Sequence, residues 1–389
     1  MKDHLDHTPT RTQDRNEPYV GQEPQDELKN EPDTDFDREC NQKWVEKIFE
    51  KWQPQASHLQ SKLQGPAEIT AVLETAEADP SGWRKKSVEE RHELMYAVAN
   101  ALGRMRGDLC GCMCAVTGKT VEEGDVEVSE AIDYCRFYTT TMKKFAALDD
   151  IEMEAKGTVL VISPWNFPCA IPVGGVVAAL ASGNTCILKP ATVAAPVAEL
   201  FVKAFYEAGV PKEALQLVVP DREGKKVLTS SPVIKHVILT GGTDTAQALA
   251  KANPRKPLSA ETGGKNVIIL TAKGDRDHAI MNACRSAFGN AGQKCSACSL
   301  FLVERSVYDN PEFFEKMKDC ASSMKCGTVW NAGNIVGPMI TNKNAKLERA
   351  FRLDAGEHWL IAPTFVPSRR CGPPRSLRGR IPRSCRRRL

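Results

Sequence analysis

Residues 157–164 read Gly-Thr-Val-Leu-Val-Ile-Ser-Pro, a short apolar run that begins at a glycine and ends in Ser-Pro. An uninterrupted run of aliphatic residues of this length is typical of a strand buried on both faces of a sheet. Similar runs follow at 185–188, 215–219 and 236–239, and helical stretches lie between them at about 172–181, 196–208 and 245–251. Strands that alternate with helices predict a parallel sheet with helices on its faces, so the fold class is α/β.

A second α/β unit is predicted downstream, from a strand at 267–270, a helix at 277–288 and a strand at 299–303. Upstream of the sheet, residues 41–148 are helical in pattern, with apolar side chains at spacings of three and four. Residues 1–34 are polar and charged and offer almost nothing to bury, so they are expected to form a disordered arm or linker.

The composition excludes several classes of protein. No apolar run is long enough to cross a membrane, and the charged N-terminus does not resemble a signal peptide. Fourteen cysteines without an export signal favour free thiols and a cytoplasmic location. The net charge of +3 is misleading, because nine arginines and no acidic residue lie in residues 367–389. The body is therefore acidic, and no nucleic-acid partner and no membrane partner is expected.

Two stretches carry the first candidate catalytic residues. Residues 292–297 read Gly-Gln-Lys-Cys-Ser-Ala, although a lone cysteine such as Cys295 is more often a small buried apolar residue than a nucleophile. Glu261 lies 34 residues upstream, followed closely by Gly263 and Gly264. Glycines permit a tight turn that brings a carboxylate to a pocket; the alternative is an ordinary turn with a solvated acid.

The third element is residues 163–168, Ser-Pro-Trp-Asn-Phe-Pro, directly after the first strand. The Asn166 amide is a candidate donor to an oxyanion, and the alternative is a loop asparagine that serves only the turn. Together the three stretches resemble the aldehyde dehydrogenase superfamily, over about residues 33–363. The resemblance implies that Cys295 is the nucleophile, Glu261 the general base, and Asn166 an oxyanion donor beside the backbone N–H of Cys295.

The residue types suit this chemistry. A thiolate adds to an aldehyde carbonyl, a thioester follows after hydride loss, and a general base activates the water that hydrolyses it. No metal is required, and no set of His and Cys has zinc-site spacing. Alternate cysteines within one helical stretch are expected to be packing residues; they are Cys110, Cys112 and Cys114.

The cofactor site is not marked by a G-x-G-x-x-G fingerprint. The resemblance implies that Lys189 contacts the adenosine ribose. It also implies that a segment after a strand faces the pyrophosphate, at Gly241, Gly242 and Thr243. Trp165, in the loop after the first strand, is a further candidate for cofactor contact. Thr192 stands where many NAD-preferring relatives carry a Glu that would repel a 2′-phosphate, and this departure weakens an exclusive preference for NAD. NAD is still favoured as the cofactor, and NADP is not excluded.

The substrate is narrowed by residues 292–299, which look like the nucleophile loop of Δ1-pyrroline-5-carboxylate dehydrogenases, as in the C-terminal module of bifunctional proline-utilisation proteins. Those enzymes oxidise L-glutamate γ-semialdehyde to glutamate in proline catabolism. The resemblance implies that Ser296 helps to hold the substrate carboxylate, with Lys294 adding positive potential. The alternative for Ser296 is a loop hydroxyl that bonds the backbone.

The resemblance breaks near the C-terminus. The family's Glu-containing motif for the nicotinamide ribose is missing, as are the strands through which family members oligomerise. The expected organisation is an arm at 1–34, a helical region with a Rossmann-type NAD domain at 35–260, an incomplete catalytic domain at 261–365, and a tail at 366–389. The composition of this tail favours non-native coding sequence over a basic interaction arm.

Three functions therefore compete. They are oxidation of glutamate semialdehyde, another aldehyde dehydrogenase activity such as the succinate-semialdehyde type, and a catalytically incomplete fragment.

Overall fold

The computed structural model describes residues 12–150 and 152–341, together with the backbone of residues 364–365 and 377–378. The helices are α1 (Glu39–Trp52), α2 (Pro66–Ala78), α3 (Val88–Arg104), α4 (Arg106–Thr117), α5 (Val121–Ala146), α6 (Ala170–Ala181), α7 (Ala195–Glu207), α8 (Arg222–Ser230), α9 (Thr243–Ala252), α10 (Arg276–Phe288), α11 (Arg305–Tyr308) and α12 (Pro311–Ser323). The strands are β1 (Thr158–Ile162), β2 (Thr185–Lys189), β3 (Leu215–Leu217), β4 (Ile234–Gly241), β5 (Leu258–Thr262), β6 (Asn266–Leu270), β7 (Cys298–Val303), β8 (Thr364–Phe365) and β9 (Leu377–Arg378).

The main sheet is parallel throughout, with strand order β3-β2-β1-β4-β5. All five residues of the central strand β1 are buried, as expected of an apolar strand covered on both faces. The predicted α/β class and parallel sheet are confirmed. Strand β5 was not predicted, and it extends the sheet to Thr262, beyond the expected domain boundary at residue 260.

Helices cover both faces of this sheet. On one face, α3, α4, α5, α6 and α7 share an apolar core with β1 and β2, in which Phe201 and Leu180 are fully buried. On the other face, α2 and α8 pack through Ile69 and Leu228. Both faces of the sheet are therefore closed, and its strand ends remain available for a site.

The second unit is smaller. Strands β6 and β7 pair in parallel, and α10 and α12 pack against them through Ile280, Phe313 and Met317. Strands β8 and β9 pair antiparallel at two positions. The rest of the predicted tail at 366–389 lies outside the described residues.

The expected disorder of residues 1–34 is wrong for residues 12–34, while residues 1–11 lie outside the described residues. The arm lies along α4 and α5, where Glu31 forms ion pairs with Arg106 at 3.3 Å and with Arg136 at 3.0 Å. The backbone N–H of Thr34 donates to Asp125 at 2.7 Å. The arm is polar because it neutralises buried arginines, and composition alone does not show where such partners lie.

Replacing Glu31 by alanine is expected to lower the free energy of unfolding by about 3 kcal/mol, because it removes a carboxylate that two buried guanidinium groups share. Arg106 keeps Asp125 at 2.9 Å and Arg136 keeps Asp133 at 3.8 Å, so each cation retains one acidic partner. The side chains of Arg106 and Arg136 are at most 3% exposed. Urea unfolding followed by circular dichroism measures the change. Glu39→Ala, which breaks an exposed pair with Lys43, is the matched control and should cost less than about 1 kcal/mol. Equal stability of the two variants would contradict the arm's role.

Candidate active site

The carboxyl ends of β1, β2 and β4 lie at one edge of the main sheet. The loop of Asn166 follows β1, Lys189 ends β2, and Gly241 ends β4. The chain runs from β1 to β2 on one side and later returns to place β4 on the other side of β1. This reversal is a topological switch point, where open α/β sheets bind ligands in a crevice.

The loop before Cys295 has a strained backbone. Asn290 and Ala291 adopt left-handed conformations, with φ of 49° and 55°, and Gly292 continues them with φ of 73°. A residue with a Cβ in this region costs about 1–2 kcal/mol. The buried Asn290 amide nitrogen also has no hydrogen-bond partner among the described residues. Strained backbone of this kind is concentrated at functional sites, where the surrounding structure holds the residues in place.

The Asn166 side chain reaches this strained loop. Its Nδ2 donates to the backbone carbonyl of Gln293 at 2.7 Å, although the two residues are 127 positions apart. The Gln293 side chain is itself held, because its Oε1 accepts from the backbone N–H of Ile340 at 3.0 Å. A carboxamide nitrogen carries two hydrogens, so the bond to Gln293 leaves one hydrogen of Asn166 Nδ2 available.

Cys295 is an exposed free thiol at the turn that follows. Its carbonyl accepts from Nδ2 of Asn266 at 2.6 Å, and the same nitrogen lies 3.2 Å from the carbonyl of Ala297. The other cysteine cluster differs, since Cys110, Cys112 and Cys114 are all buried in α4 as predicted. The thiol in the candidate nucleophile position is thus exposed to solvent, unlike the three thiols of α4.

Glu261 does not lie in a tight turn as expected. It is an exposed residue of β5, opposite Thr240 of β4, and the glycines follow the strand. No hydrogen bond or ion pair joins Glu261 to Cys295 within the described parts of the chain. The two residues are linked through the short segment 263–265, which leads from Glu261 to Asn266 and so to the Cys295 carbonyl.

The residues that flank Cys295 have different surroundings. Lys294 forms an ion pair with Glu123 of α5 at 3.2 Å, so its charge has a local partner, and its contribution of positive potential stays a prediction. Ser296 is exposed, and the turn is closed by the backbone, with the N–H of Ala297 donating to the Lys294 carbonyl at 3.2 Å. The Ser296 hydroxyl is therefore not what closes the turn.

The candidate cofactor residues lie at and just after the carboxyl ends of β1, β2 and β4. Gly242 is the N-cap of α9 and Thr243 its first residue, and no side chain caps this helix. Free backbone N–H groups at a helix N-terminus suit a phosphate group. Lys189 is half-buried with its Nζ 3.2 Å from the carbonyl of Pro190, and burial together with repulsion from Lys225 lowers its pKa to about 8. Trp165 is half-buried beside Asn166.

Three residues of the site were missed by sequence reasoning. Asn266 holds the Cys295 carbonyl, Gln293 receives the Asn166 amide, and Glu123 pairs with Lys294. Gln293 lies inside the quoted motif, so proximity to Cys295 was a usable signal. Nothing in the sequence marks Asn266 or Glu123, since each acts on a segment distant along the chain.

In the described ranges, no helix is long and apolar enough to span a membrane, and no group of three or more acidic, His or Cys side chains is placed to hold a metal ion.

A protein-family model described as the aldehyde dehydrogenase family matches residues 44–357, which is most of the chain. The chain belongs to the aldehyde dehydrogenase family. Among curated relatives, the 1-pyrroline-5-carboxylate dehydrogenase of Anoxybacillus flavithermus is 32% identical over 69% of this chain. That of Bacillus subtilis is 34% identical over 66% of it. Among solved structures, proline utilization A (PutA) from Corynebacterium freiburgense covers 91% of this chain with a TM-score of 0.81 and 32% identity.

This aldehyde dehydrogenase chain spans only part of those relatives. The matches cover 56% of the Anoxybacillus protein, 53% of the Bacillus protein and 35% of the PutA chain. The family assignment therefore applies to the matched region, which includes the segments of Asn166, Glu261 and Cys295.

Proposed function

We propose that this chain supplies the catalytic cysteine and oxyanion site for NAD-dependent oxidation of L-glutamate γ-semialdehyde to glutamate, a reaction of proline catabolism. The observation that carries the proposal is the 2.7 Å hydrogen bond between Asn166 Nδ2 and the Gln293 carbonyl. It joins a candidate oxyanion donor to the loop of an exposed thiol. The substrate class is supported by the two curated relatives named 1-pyrroline-5-carboxylate dehydrogenase.

The first step is addition of the Cys295 thiolate to the aldehyde carbon, which forms a C–S bond and places a negative charge on the former carbonyl oxygen. The second hydrogen of Asn166 Nδ2 and the Cys295 backbone N–H donate to this oxygen. Donors that are held in place before the reaction stabilise the charge without reorganising. Asn166 meets this condition because its other hydrogen is already bonded to Gln293.

The second half of the reaction forms a thioester and then hydrolyses it to the acid. NAD bound at the sheet edge would supply the hydride acceptor that oxidation of the thiohemiacetal to a thioester requires. Glu261 is exposed at the end of β5, where water has access to its carboxylate. As general base it takes a proton from a water that attacks the thioester carbonyl, and the C–S bond then breaks to release glutamate and the Cys295 thiolate.

The residues present fit a dinucleotide. The uncapped N-terminus of α9 at Gly242 and Thr243 offers backbone donors to a pyrophosphate, and Gly241 leaves the approach open at the end of β4. Lys189 presents a half-buried amine from the end of β2 to an adenosine ribose. Trp165 would line the same crevice. The exposed Ser296 hydroxyl would hold the substrate carboxylate beside Cys295.

Cofactor preference is expected to depend on pH through Lys189. Its pKa of about 8 means that the ammonium group is charged at about pH 7 and mostly neutral at about pH 9. A 2′-phosphate stays dianionic over this range because its second pKa is about 6. The dissociation constant of NADP, relative to that of NAD, should therefore rise as pH increases, by up to about tenfold.

Isothermal titration calorimetry at both pH values measures this ratio. Lys189→Met should make the ratio independent of pH, whereas the equivalent change at Lys235, an exposed lysine away from the crevice, should not. A wild-type ratio that stays constant would contradict the placement of Lys189 at the ribose.

The assay for the proposed function follows NADH formation by the purified chain with glutamate γ-semialdehyde, succinate semialdehyde and propanal. Fastest turnover with glutamate γ-semialdehyde supports the proposal, and preference for succinate semialdehyde would assign another activity of the family. Absence of turnover with all three, in a chain whose circular dichroism shows the α/β fold, would identify a catalytically incomplete fragment.

A further inference from the structure

The first two turns of α5 carry two buried or half-buried carboxylates whose roles the proposed reaction leaves unexplained. Glu123 and Glu127 are four residues apart and so lie on the same face of the helix. Glu123 pairs with Lys294, the residue before Cys295. Glu127 instead faces the loop that carries Asn166. One helix face therefore touches both loops of the candidate site.

Glu127 holds the far end of the Asn166 loop. Its Oε1 accepts from the backbone N–H groups of Cys169 at 2.6 Å and Ala170 at 3.1 Å, which are the N-cap and first residue of α6. A carboxylate at a helix N-terminus satisfies N–H groups that have no partner within the helix, and the helix dipole favours its charge. The end of the loop is thereby fixed three residues after Asn166.

Lys119 completes this arrangement. Its Nζ lies 2.5 Å from Glu127 Oε2, and both side chains are only 1% exposed. The same ammonium group lies 4.0 Å from the ring centroid of Phe167, the residue next to Asn166. A desolvated cation over an aromatic face is an attractive contact with a defined geometry. Lys119 thus contacts the Asn166 loop at Phe167, the residue adjacent to the candidate oxyanion donor.

The turn of Lys119 also touches the segment that supports the nucleophile loop. Gly118 has φ of 71°, and a Cβ there would lie 3.0 Å from Cγ of Pro338. A Cβ on Gly337 would meet the Gly118 carbonyl at 2.4 Å, so the two backbones are in close contact. Two residues after Pro338, the N–H of Ile340 donates to Gln293. The Gly118–Lys119 turn is therefore packed between both loops.

We propose that Lys119 and Glu127 are positioning residues that hold the Asn166 carboxamide at the oxyanion site, with Glu123 holding the nucleophile loop through Lys294. This inference rests on the proposed roles of Asn166 and Cys295. In this proposal the start of α5 is the element that sets the distance between the Asn166 carboxamide and the Cys295 thiol. A buried ion pair is weak evidence for stability by itself, and a defined geometry is the better explanation for one at this place.

The variant that tests it is Lys119→Met, with Lys119→Met/Glu127→Gln as the second variant. The double variant avoids an unpaired buried charge, and a glutamine carbonyl can still accept from Cys169 and Ala170. Arg136→Met is the matched control, because Arg136 is a buried cation of α5, the helix that carries Glu127. Its side chain pairs with Glu31 at 3.0 Å and with Asp133 at 3.8 Å, neither of which lies in the two loops. All measurements are made well below the melting temperature of each variant.

The first readout is amide hydrogen exchange of residues 163–170. Exchange should be about tenfold faster in both Lys119 variants and unchanged in Arg136→Met, since only the former release Phe167. The second readout is protection of Cys295 from iodoacetamide by propanal. The propanal concentration needed for protection should rise about tenfold, whereas the alkylation rate without propanal should stay within about twofold.

Loop exchange in Lys119→Met that matches wild type, or that Arg136→Met reproduces, would overturn the positioning role. Faster exchange with unchanged propanal protection would also overturn it, because the loop would then have moved without affecting the oxyanion site. Failure of the proposed function is a separate outcome: wild type would neither form NADH nor be protected by propanal, and the exchange readout would still decide the role of Lys119 in holding the loop.

Discussion

Cys295→Ser is expected to lower NADH formation from glutamate γ-semialdehyde by about four orders of magnitude or more. A serine hydroxyl is almost entirely protonated at neutral pH, whereas a cysteine provides a thiolate that adds to the aldehyde. The fold should be unaffected, because Cys295 is exposed and contributes a backbone carbonyl, and not its side chain, to the bond with Asn266. Steady-state NADH absorbance, with circular dichroism to verify folding, measures the effect.

Cys298→Ser is the matched control for this experiment. Cys298 lies three residues later, at the start of β7, and is less accessible than Cys295. Its variant should retain activity within a few-fold of wild type. The assignment of the nucleophile fails if Cys295→Ser keeps more than about a tenth of the activity, since a residual rate of that size needs another nucleophile.

Asn166→Ala is expected to lower kcat by about 10²- to 10³-fold with a much smaller change in KM. The side chain is proposed to donate to an oxygen that becomes negative only during the reaction, so its loss affects the transition state more than substrate binding. The loss of the bond to the Gln293 carbonyl adds to the effect by freeing the strained loop before Cys295.

Steady-state kinetics of the purified variant separate kcat from KM. Asn100→Ala serves as the control, because the Asn100 amide bonds only the backbone of Gln22 in the N-terminal arm. A variant of Asn166 that raised KM and left kcat unchanged would place this residue in uniform substrate binding and would remove it from the oxyanion site.

Sequence reasoning located the elements that are stabilised by local pattern. The run at residues 158–162, predicted as a buried strand, coincides with β1, whose five residues are all buried. Strand β5 was missed because Leu-Ser-Ala-Glu-Thr is mixed in polarity and mostly exposed. Its strand conformation comes from pairing with β4 at the sheet edge, a tertiary effect that the residues of β5 do not indicate.

The site divides in a similar way. The residue types at Cys295, Glu261 and Asn166 could be selected from motifs, whereas their contacts could not. The ion-pair partner of Lys294, Glu123, could not be found from the sequence because it lies on a helix far upstream in the chain. The polar arm was expected to be disordered because it offers almost nothing to bury, and its contacts could not be foreseen because the arginines that hold Glu31 belong to distant helices. Composition gives the residue types of a segment, whereas the topology of the fold determines which residues that segment contacts.

The most direct test of the central claim is mass spectrometry of the Glu261→Gln chain after incubation with NAD and glutamate γ-semialdehyde. Without the general base, the thioester should form and persist, so the peptide containing Cys295 should carry the glutamyl group. The same treatment of Glu261→Gln/Cys295→Ser should leave that peptide unmodified. An acyl group on a different residue, or undiminished release of glutamate by Glu261→Gln, would contradict the assignment of Cys295 and Glu261 as nucleophile and base.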